Sequence, residues 1–423
     1  MASSEMTSSK MSLAGGERAK LARPLELTCF ALIIANVVFL GSSYIPELMG
    51  QDGAGGVYDF VTTWSAGRLA VVGQAAAAYD WPTLKLVDES VLGHPFEGYL
   101  GWLYPPTFLF VAASLSLFPY AIAFAIWVFG TFLAYLAAIR AIVGDRKGYF
   151  LAAAFPAVVA NIIVGQNGFL SAALIGGTLT FMERRPICAG VLLGLLTYKP
   201  QLGILFPIVL LASGRWRVLI TATIVAALFA AASLAAFGIK SWQAFLPGVA
   251  YAVTSNGMID WGKLQTAFGL TRALGGSEVL AWTVQIVVAF IAAGAITVLW
   301  RSRATSAIKA AALGVGTLLA TPHLFAYDLV VLAVPLAFMF QLGCARGFLP
   351  YELTGMGLAC LLILIFPFVK APVGFAAIFV VAALIIRRAL VAQTVAISTV
   401  DGEVSAATDG HILRRVAVRL PQT

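Results

Sequence analysis

Charged residues are scarce in this sequence. Only 11% of the 423 residues are Asp, Glu, Lys or Arg, while 61% are hydrophobic, and the mean hydropathy is +0.93. A soluble domain has about a quarter charged residues, so a water-soluble core does not account for this much apolar surface. Because a bilayer offers backbone amides no water, apolar runs of about 17 to 25 residues cross it as helices. The composition therefore predicts an all-α polytopic integral membrane protein.

Cysteine pairs and nucleotide-binding motifs are also missing. The four cysteines lie in or beside apolar runs without paired spacing, which indicates neither a disulfide framework nor a zinc site. There is no Walker phosphate loop, no dinucleotide-binding glycine pattern and no HExxH motif, so soluble nucleotide-dependent chemistry is disfavoured. The net charge of +8 is spread over small basic clusters between apolar runs. Such clusters are typical of helix-flanking anchors rather than of a nucleic-acid interface.

Twelve membrane spans are predicted from the apolar runs. They cover about residues 25–45, 120–142, 149–164, 168–182, 186–198, 202–213, 217–238, 279–300, 306–321, 325–342, 352–369 and 373–390. Several are short, especially the two on either side of Lys199 and Pro200, so we expect broken or half-crossing helices there.

The basic clusters predict the orientation of these spans. If the spans alternate, the clusters fall on one side, which the positive-inside rule identifies as the cytoplasm. This holds only if the apolar stretch YPPTFLFVAASLSLFP (104–119) does not cross the membrane. We therefore expect a helix that lies along the outer membrane surface, or that enters the membrane and returns, with prolines at both ends.

The spans divide the chain into three predicted regions. Residues 1–24 form a cytoplasmic segment, residues 25–390 form the membrane domain, and residues 391–423 form a disordered cytoplasmic tail. Two longer outer loops are expected, at 46–104 and 239–278. The first apolar run lacks a convincing cleavage site, which favours a retained helix over a cleaved signal peptide. No inverted internal repeat, as found in many secondary transporters, is evident.

Polar residues that interrupt the apolar runs mark a candidate site, because buried polar groups are costly in a membrane protein. They are Asp59 after the first span, Gln166 and Asn167 between the third and fourth, Tyr198, Lys199 and Gln201 between the fifth and sixth, and His323 between the ninth and tenth, with Asp328 following. The predicted topology places them all on the outer face. Polar turns that meet on one face resemble the rim of a single cavity.

Each of these residues also has a purely structural interpretation. Asp59 has acidic neighbours and can be a solvated loop carboxylate. The Gln-Asn pair can form a tight turn between helices. Lys199 can extend its ammonium to the membrane interface, although a lysine on the outer side opposes the positive-inside trend. His323 can cap a helix or bond a backbone carbonyl.

Five segments in order are similar to a known family. They are AGRLAVVGQAAAAYDW (66–81) after Tyr58 and Asp59, WLYPPTFLF (102–110), VGQNGFLSAALI (164–175), CAGVLLGLLTYKPQLGILFPIVLL (188–211) followed by Arg215, Trp216 and Arg217, and ATPHLFAYDLVVL (320–332). Together they resemble glycosyltransferase family 87, whose members are membrane enzymes of the GT-C structural class. The family includes mannosyltransferases that use polyprenyl-phosphate mannose.

The resemblance implies an extracytoplasmic active site beneath the first outer loop of a plasma-membrane enzyme. Its expected partners are a polyprenyl-phosphate sugar donor, a glycolipid or glycan acceptor and membrane lipids, without nucleic acid. The family's catalytic aspartate corresponds to Asp59, which we expect to act as the general base of an inverting transfer, with mannose as the commonest precedent. No cofactor is expected, and a divalent cation is not indicated because the sequence shows no clear acidic pair.

The remaining candidate residues are expected to bind the donor. Lys199, with His323 as a hydrogen-bond donor or second cation, would bind its phosphate. Gln166, Asn167, Gln201 and Tyr104 would contact the sugar or the phosphate. The alternative hypotheses are a transporter or flippase of lipid-linked sugars, and a non-enzymatic membrane assembly subunit.

Overall fold

A computed structural model of the protein describes residues 26–40, 59–254, 261–369 and 371–392, with side chains described outside 248–254. Over these ranges the chain is helical, and its one β-type pairing is an isolated antiparallel bridge between Leu264 and Phe325. The prediction of an all-α membrane protein is confirmed. The predicted segment 1–24 and the tail from 393 onward lie outside the described residues.

The helices follow one another with short connections. They are α1 Glu26–Leu40, α2 Phe60–Val71, α3 Trp81–Leu92, α4 Leu109–Ser116, α5 Tyr120–Val143, α6 Lys147–Ala153, α7 Ala157–Val164, α8 Gly168–Phe181, α9 Pro186–Leu195, α10 Leu205–Ala212, α11 Trp216–Thr254, α12 Ala267–Ala273, α13 Glu278–Arg301, α14 Ser306–Ala320, α15 Ala333–Arg346, α16 Glu352–Leu364, α17 Phe366–Val369 and α18 Val373–Ala392. Short 3₁₀ turns join several of them, including Ala75–Tyr79, Leu196–Tyr198, Trp261–Lys263 and Ala326–Leu332.

Five helical stretches of the described chain are long and apolar enough to cross a membrane. They are Tyr120–Val143, Trp216–Pro247, Glu278–Arg301, Ala326–Arg346 and Val373–Ala392. A sixth span results if α6 and α7 count together, although they meet at an angle of 63° next to Pro156. Other apolar helices have 10–17 residues, which is less than a bilayer core of about 30 Å requires. The number of twelve crossings therefore stays a prediction.

The predicted first outer loop contains helices that the hydropathy pattern does not reveal. From Asp59 onward it folds into α2, a 3₁₀ turn and α3, and Asp80 caps α3 by accepting a hydrogen bond from the amide of Thr83 at 3.2 Å. The apolar stretch after Tyr104 forms a 3₁₀ turn and α4 between prolines, as expected of a short helix bounded at both ends. Its position along the membrane surface stays a prediction.

Helices α2 and α4 pack so closely that Gly67 has no room for a side chain. A Cβ atom at this position would lie 2.0 Å from the carbonyl oxygen of Ala112. Because that oxygen belongs to the backbone of α4, it cannot move aside as a side chain could. The contact fixes α2 and, with it, Asp59, the residue that precedes its first turn.

Replacing Gly67 by Ala is expected to separate α2 from α4 and to lower the free energy of unfolding by about 1–3 kcal/mol. Thermal unfolding of the purified protein measures this change. Gly130→Ala in α5 is the matched control, since a Cβ there meets no atom within 4 Å and alanine favours the helix. Equal melting temperatures of the two variants would contradict the close packing of α2 on α4.

The basic clusters after α8, α10 and α13 gather at one end of the bundle. Arg215 forms an ion pair with Glu183 and lies 5.5 Å from the ring centre of Trp300. The indole N–H of Trp300 donates to the carbonyl oxygen of Lys309 at 3.0 Å. Helix α8 leads away from this end over 14 residues, about 21 Å, to its first residue Gly168. The turn before Gly168, which carries predicted site residues, therefore lies at the opposite end of the bundle.

Candidate active site

The half-buried carboxylate of Asp59 is held by the side-chain amide of Gln166. The Gln166 Nε2 group donates to Asp59 Oδ2 at 2.9 Å, across 107 residues of chain. Burial raises the pKa of Asp59 above its ordinary value, an effect opposed by the Gln166 hydrogen bond and by the charge of Lys263, and reinforced by Asp328. One carboxylate oxygen is thus fixed, while Oδ1 has no hydrogen bond in the described part of the chain.

Gln166 is itself oriented from its other side. The hydroxyl of Tyr104 donates to Gln166 Oε1 at 3.0 Å, and the hydroxyl of Tyr79 donates to the backbone oxygen of Tyr104 at 2.9 Å. Gln166 follows Gly165, whose φ of 64° ends α7, and the indole N–H of Trp127 donates to the oxygen of Gly165 at 2.9 Å. The predicted turn between helices is therefore present, and it positions a side chain against Asp59.

A second polar cluster surrounds Lys199, whose side chain is 6% exposed. Its Nζ atom lies 2.5 Å from Asp328 Oδ1 and donates to Asn167 Oδ1 at 2.9 Å. The ring of Tyr327 lies 5.6 Å from the same ammonium. A charge buried this deeply requires a paired counter-charge, and Asp328 supplies it.

The segment that carries Asp328 is fixed by further hydrogen bonds. Asp328 Oδ2 accepts from the backbone N–H of Phe325 at 3.3 Å, and the buried Asn161 donates to the backbone oxygen of Tyr327 at 3.1 Å. The sequence pattern singles out Asp328 only as an acidic residue that follows His323. The signal in the sequence is an acidic residue within the apolar run AYDLVVL, since a carboxylate buried there needs a cation as its partner.

The two clusters meet at neighbouring residues, because Gln166 bonds Asp59 and Asn167 bonds Lys199. Tyr198, next to Lys199, donates to the backbone oxygen of Asn167 at 3.3 Å. The structure thus brings five predicted residues from separate parts of the chain into one network, namely Asp59, Tyr104, Gln166, Asn167 and Lys199. Their roles in binding or catalysis stay predictions.

Gln201 and His323 lie beside this network rather than in it. The backbone oxygen of Gln201 accepts from the hydroxyl of Thr321 at 3.2 Å. The ring centre of His323 lies 6.1 Å from that of Phe268 and 6.4 Å from that of Trp282. The Nε2 atom of His323 is buried without a hydrogen-bond partner in the described chain. Burial lowers the pKa of His323, which favours the neutral ring, and a neutral imidazole keeps one N–H donor.

No three His, Cys, Asp or Glu side chains among the described residues group as a metal site would require. The expectation that the protein needs no cofactor stays a prediction.

Comparison with known proteins identifies the family. The model of glycosyltransferase family 87 matches residues 102–322, just over half of the chain. The match includes the Tyr104, Gln166, Asn167, Lys199 and Gln201 positions, and it begins after Asp59 and ends one residue before His323. No match was found among curated proteins or among solved structures. The extent of the family match, on an all-helical membrane fold, shows that this chain belongs to glycosyltransferase family 87.

Proposed function

We propose that the protein transfers a sugar, mannose, from a polyprenyl-phosphate donor to a hydroxyl group of a lipid-linked or envelope glycan acceptor. The transfer inverts the anomeric centre and takes place at the extracytoplasmic face of the plasma membrane. The observation that carries this proposal is the Asp59 carboxylate, held by Gln166 beside a buried lysine cluster. The site lies at the end of the bundle opposite the basic clusters, as the positive-inside rule requires of an outer site.

Asp59 acts as the general base. Gln166 holds Oδ2, so Oδ1 takes the proton from the acceptor hydroxyl. The acceptor oxygen forms its bond to the anomeric carbon from one face, while the bond from that carbon to the phosphate oxygen breaks on the other. The electron pair leaves with the polyprenyl phosphate. Because burial raises the pKa of Asp59, the carboxylate is a stronger base than a solvated aspartate.

Donor binding is assigned to the Lys199 cluster. An ammonium group has three N–H donors, and Asp328 and Asn167 occupy two of them, which leaves one for a phosphate or sugar oxygen. Tyr104 contributes by orienting Gln166. We assign Gln201 and His323 to the periphery of the donor site, where the neutral imidazole serves as a hydrogen-bond donor. We also propose that the chain crosses the membrane twelve times.

Product formation by the purified protein tests the function. Full-length protein in lipid nanodiscs is supplied with radiolabelled polyprenyl-phosphate mannose and a membrane glycolipid extract. We expect labelled glycolipid and an equal amount of released polyprenyl phosphate. If the protein were a flippase, it would form no labelled glycolipid, and in sealed vesicles it would move the intact donor across the membrane.

The pH profile tests the contact between Gln166 and Asp59. The hydrogen bond stabilises the carboxylate, so Gln166→Leu should raise the pKa of Asp59 further. Since the base acts when deprotonated, the acidic limb of kcat/KM is expected to move to higher pH in this variant. Gln74→Leu, at an exposed position, is the control and should keep the wild-type profile. An unshifted acidic limb in Gln166→Leu would contradict the assigned contact.

A further inference from the structure

The charges around Asp59 do not suffice to bind an anionic donor. Lys199 and Asp328 form a buried pair and neutralise each other. The carboxylate of Asp59 therefore gives this part of the site a net negative charge. The proposed donor carries a phosphodiester anion, and its leaving group gains further negative charge as the sugar departs. Like charges repel strongly where water is excluded, so the site requires another cation.

Lys263 has the position that such a cation requires. It ends the 3₁₀ turn Trp261–Lys263, its side chain is exposed, and it takes part in none of the ion pairs of the described chain. Its positive charge also acts to lower the pKa of Asp59, against the larger effect of burial. In contrast to the buried Lys199, Lys263 has no carboxylate within ion-pair distance in the described chain.

The backbone that carries Lys263 is held in place by the fully buried Gln265. Its Nε2 donates to the oxygens of Gly262 and Lys263 at 3.0 and 3.1 Å, and its Oε1 accepts from the N–H of Gly374 at 2.8 Å. These bonds join the turn to the start of α18. The lysine side chain is therefore free to reach a ligand, while its point of attachment is rigid.

The same turn is joined to the Lys199 cluster. The backbone N–H of Gln265 donates to the oxygen of Leu324 at 2.7 Å, next to the bridge between Leu264 and Phe325. The N–H of Phe325 in turn donates to Asp328 Oδ2 at 3.3 Å. A short hydrogen-bonded path thus connects the exposed cation to the buried pair.

We propose that Lys263 binds the donor phosphate: its ammonium contacts a phosphate oxygen of the polyprenyl-linked sugar and remains on the phosphate as the anomeric C–O bond breaks. This inference rests on the proposed function, since it names the group that recognises the anionic part of the donor. Lys199, paired with Asp328, contributes a hydrogen bond but no net charge.

Binding of farnesyl phosphate, a short lipid phosphate without sugar, tests the role of Lys263 without turnover. Full-length protein in nanodiscs of uncharged lipid is titrated by calorimetry. Lys263→Gln is expected to weaken binding by about tenfold or more, as loss of a charge-assisted hydrogen bond would. Lys263→Arg should retain most of the affinity. Lys240→Gln is the matched control, an exposed lysine just after the break of α11 at Gly238.

Asp59→Asn is a second test variant, and its expected effect on binding differs from that of Lys263→Gln. Removing a negative charge near the phosphate should leave farnesyl phosphate binding unchanged or tighter, although transfer is lost. Equal affinity of wild type and Lys263→Gln, or no binding by the wild type, would overturn the assignment of Lys263. Failure of the proposed function is distinguished by the transfer assay: Lys263-dependent binding without any product supports the phosphate site and contradicts glycosyl transfer.

Discussion

Asp59→Asn is expected to reduce sugar transfer by about 10²–10⁴-fold, the contribution of a positioned general base. The amide has nearly the size of the carboxylate, and its oxygen still accepts the hydrogen bond from Gln166. The variant should therefore fold normally and keep its affinity for the donor. Initial rates at saturating acceptor, measured over a series of donor concentrations, give the loss of turnover and the donor KM. A melting curve reports whether the variant folds normally.

Asp80→Asn is the matched control for this experiment. Asp80 lies in the same outer segment and caps α3, and asparagine is an equally good cap. Its transfer rate should equal that of the wild type. Substantial turnover by Asp59→Asn would remove Asp59 from the role of base, and equal losses in both variants would show that the segment as a whole is sensitive to substitution.

Breaking the buried pair of Lys199 and Asp328 is expected to have the largest effect on stability. Asp328→Leu leaves the ammonium without its counter-charge at a site where little water can solvate it. The expected loss is about 3–5 kcal/mol in the free energy of unfolding. The double variant Lys199→Met, Asp328→Leu removes both charges, so it should recover most of this loss while transfer remains impaired.

Chemical denaturation of the single and double variants measures this coupling. Glu183→Gln is the control, because it breaks the more exposed pair with Arg215, and the loss should stay below about 1 kcal/mol. If Asp328→Leu is no less stable than Glu183→Gln, the ammonium of Lys199 is not buried against Asp328. If the double variant transfers sugar at the wild-type rate, the cluster has no part in donor binding.

The site residues were predictable where a polar side chain interrupts an apolar run. Asp59, Gln166, Asn167 and Lys199 stand out in this way, because a membrane interior tolerates polar groups only where they have partners. Which partner each one has was not predictable. Lys199 and Asp328 are 129 residues apart, and hydropathy contains no information about contacts over such a distance.

The membrane class was predictable from composition, whereas the arrangement of short helices was not. The hydropathy pattern does not predict helix α2, because its sequence, FVTTWSAGRLAV, is neither strongly apolar nor regularly amphipathic. The position of α2 depends on the contact of Gly67 with α4. Lys263 was likewise unremarkable as one lysine of an outer segment. Only the fold joins its turn, through Gln265, to the segment that carries Asp328.

A structure of the Asp59→Asn protein with polyprenyl-phosphate mannose bound would test the central claim most directly. We expect the anomeric carbon to face residue 59, with room between them for a hydroxyl group about 3 Å from each. The phosphate should lie on the far side of the sugar, within reach of Lys263. A donor bound at the end of the bundle that carries Arg215, or with its phosphate between the sugar and residue 59, would contradict the mechanism.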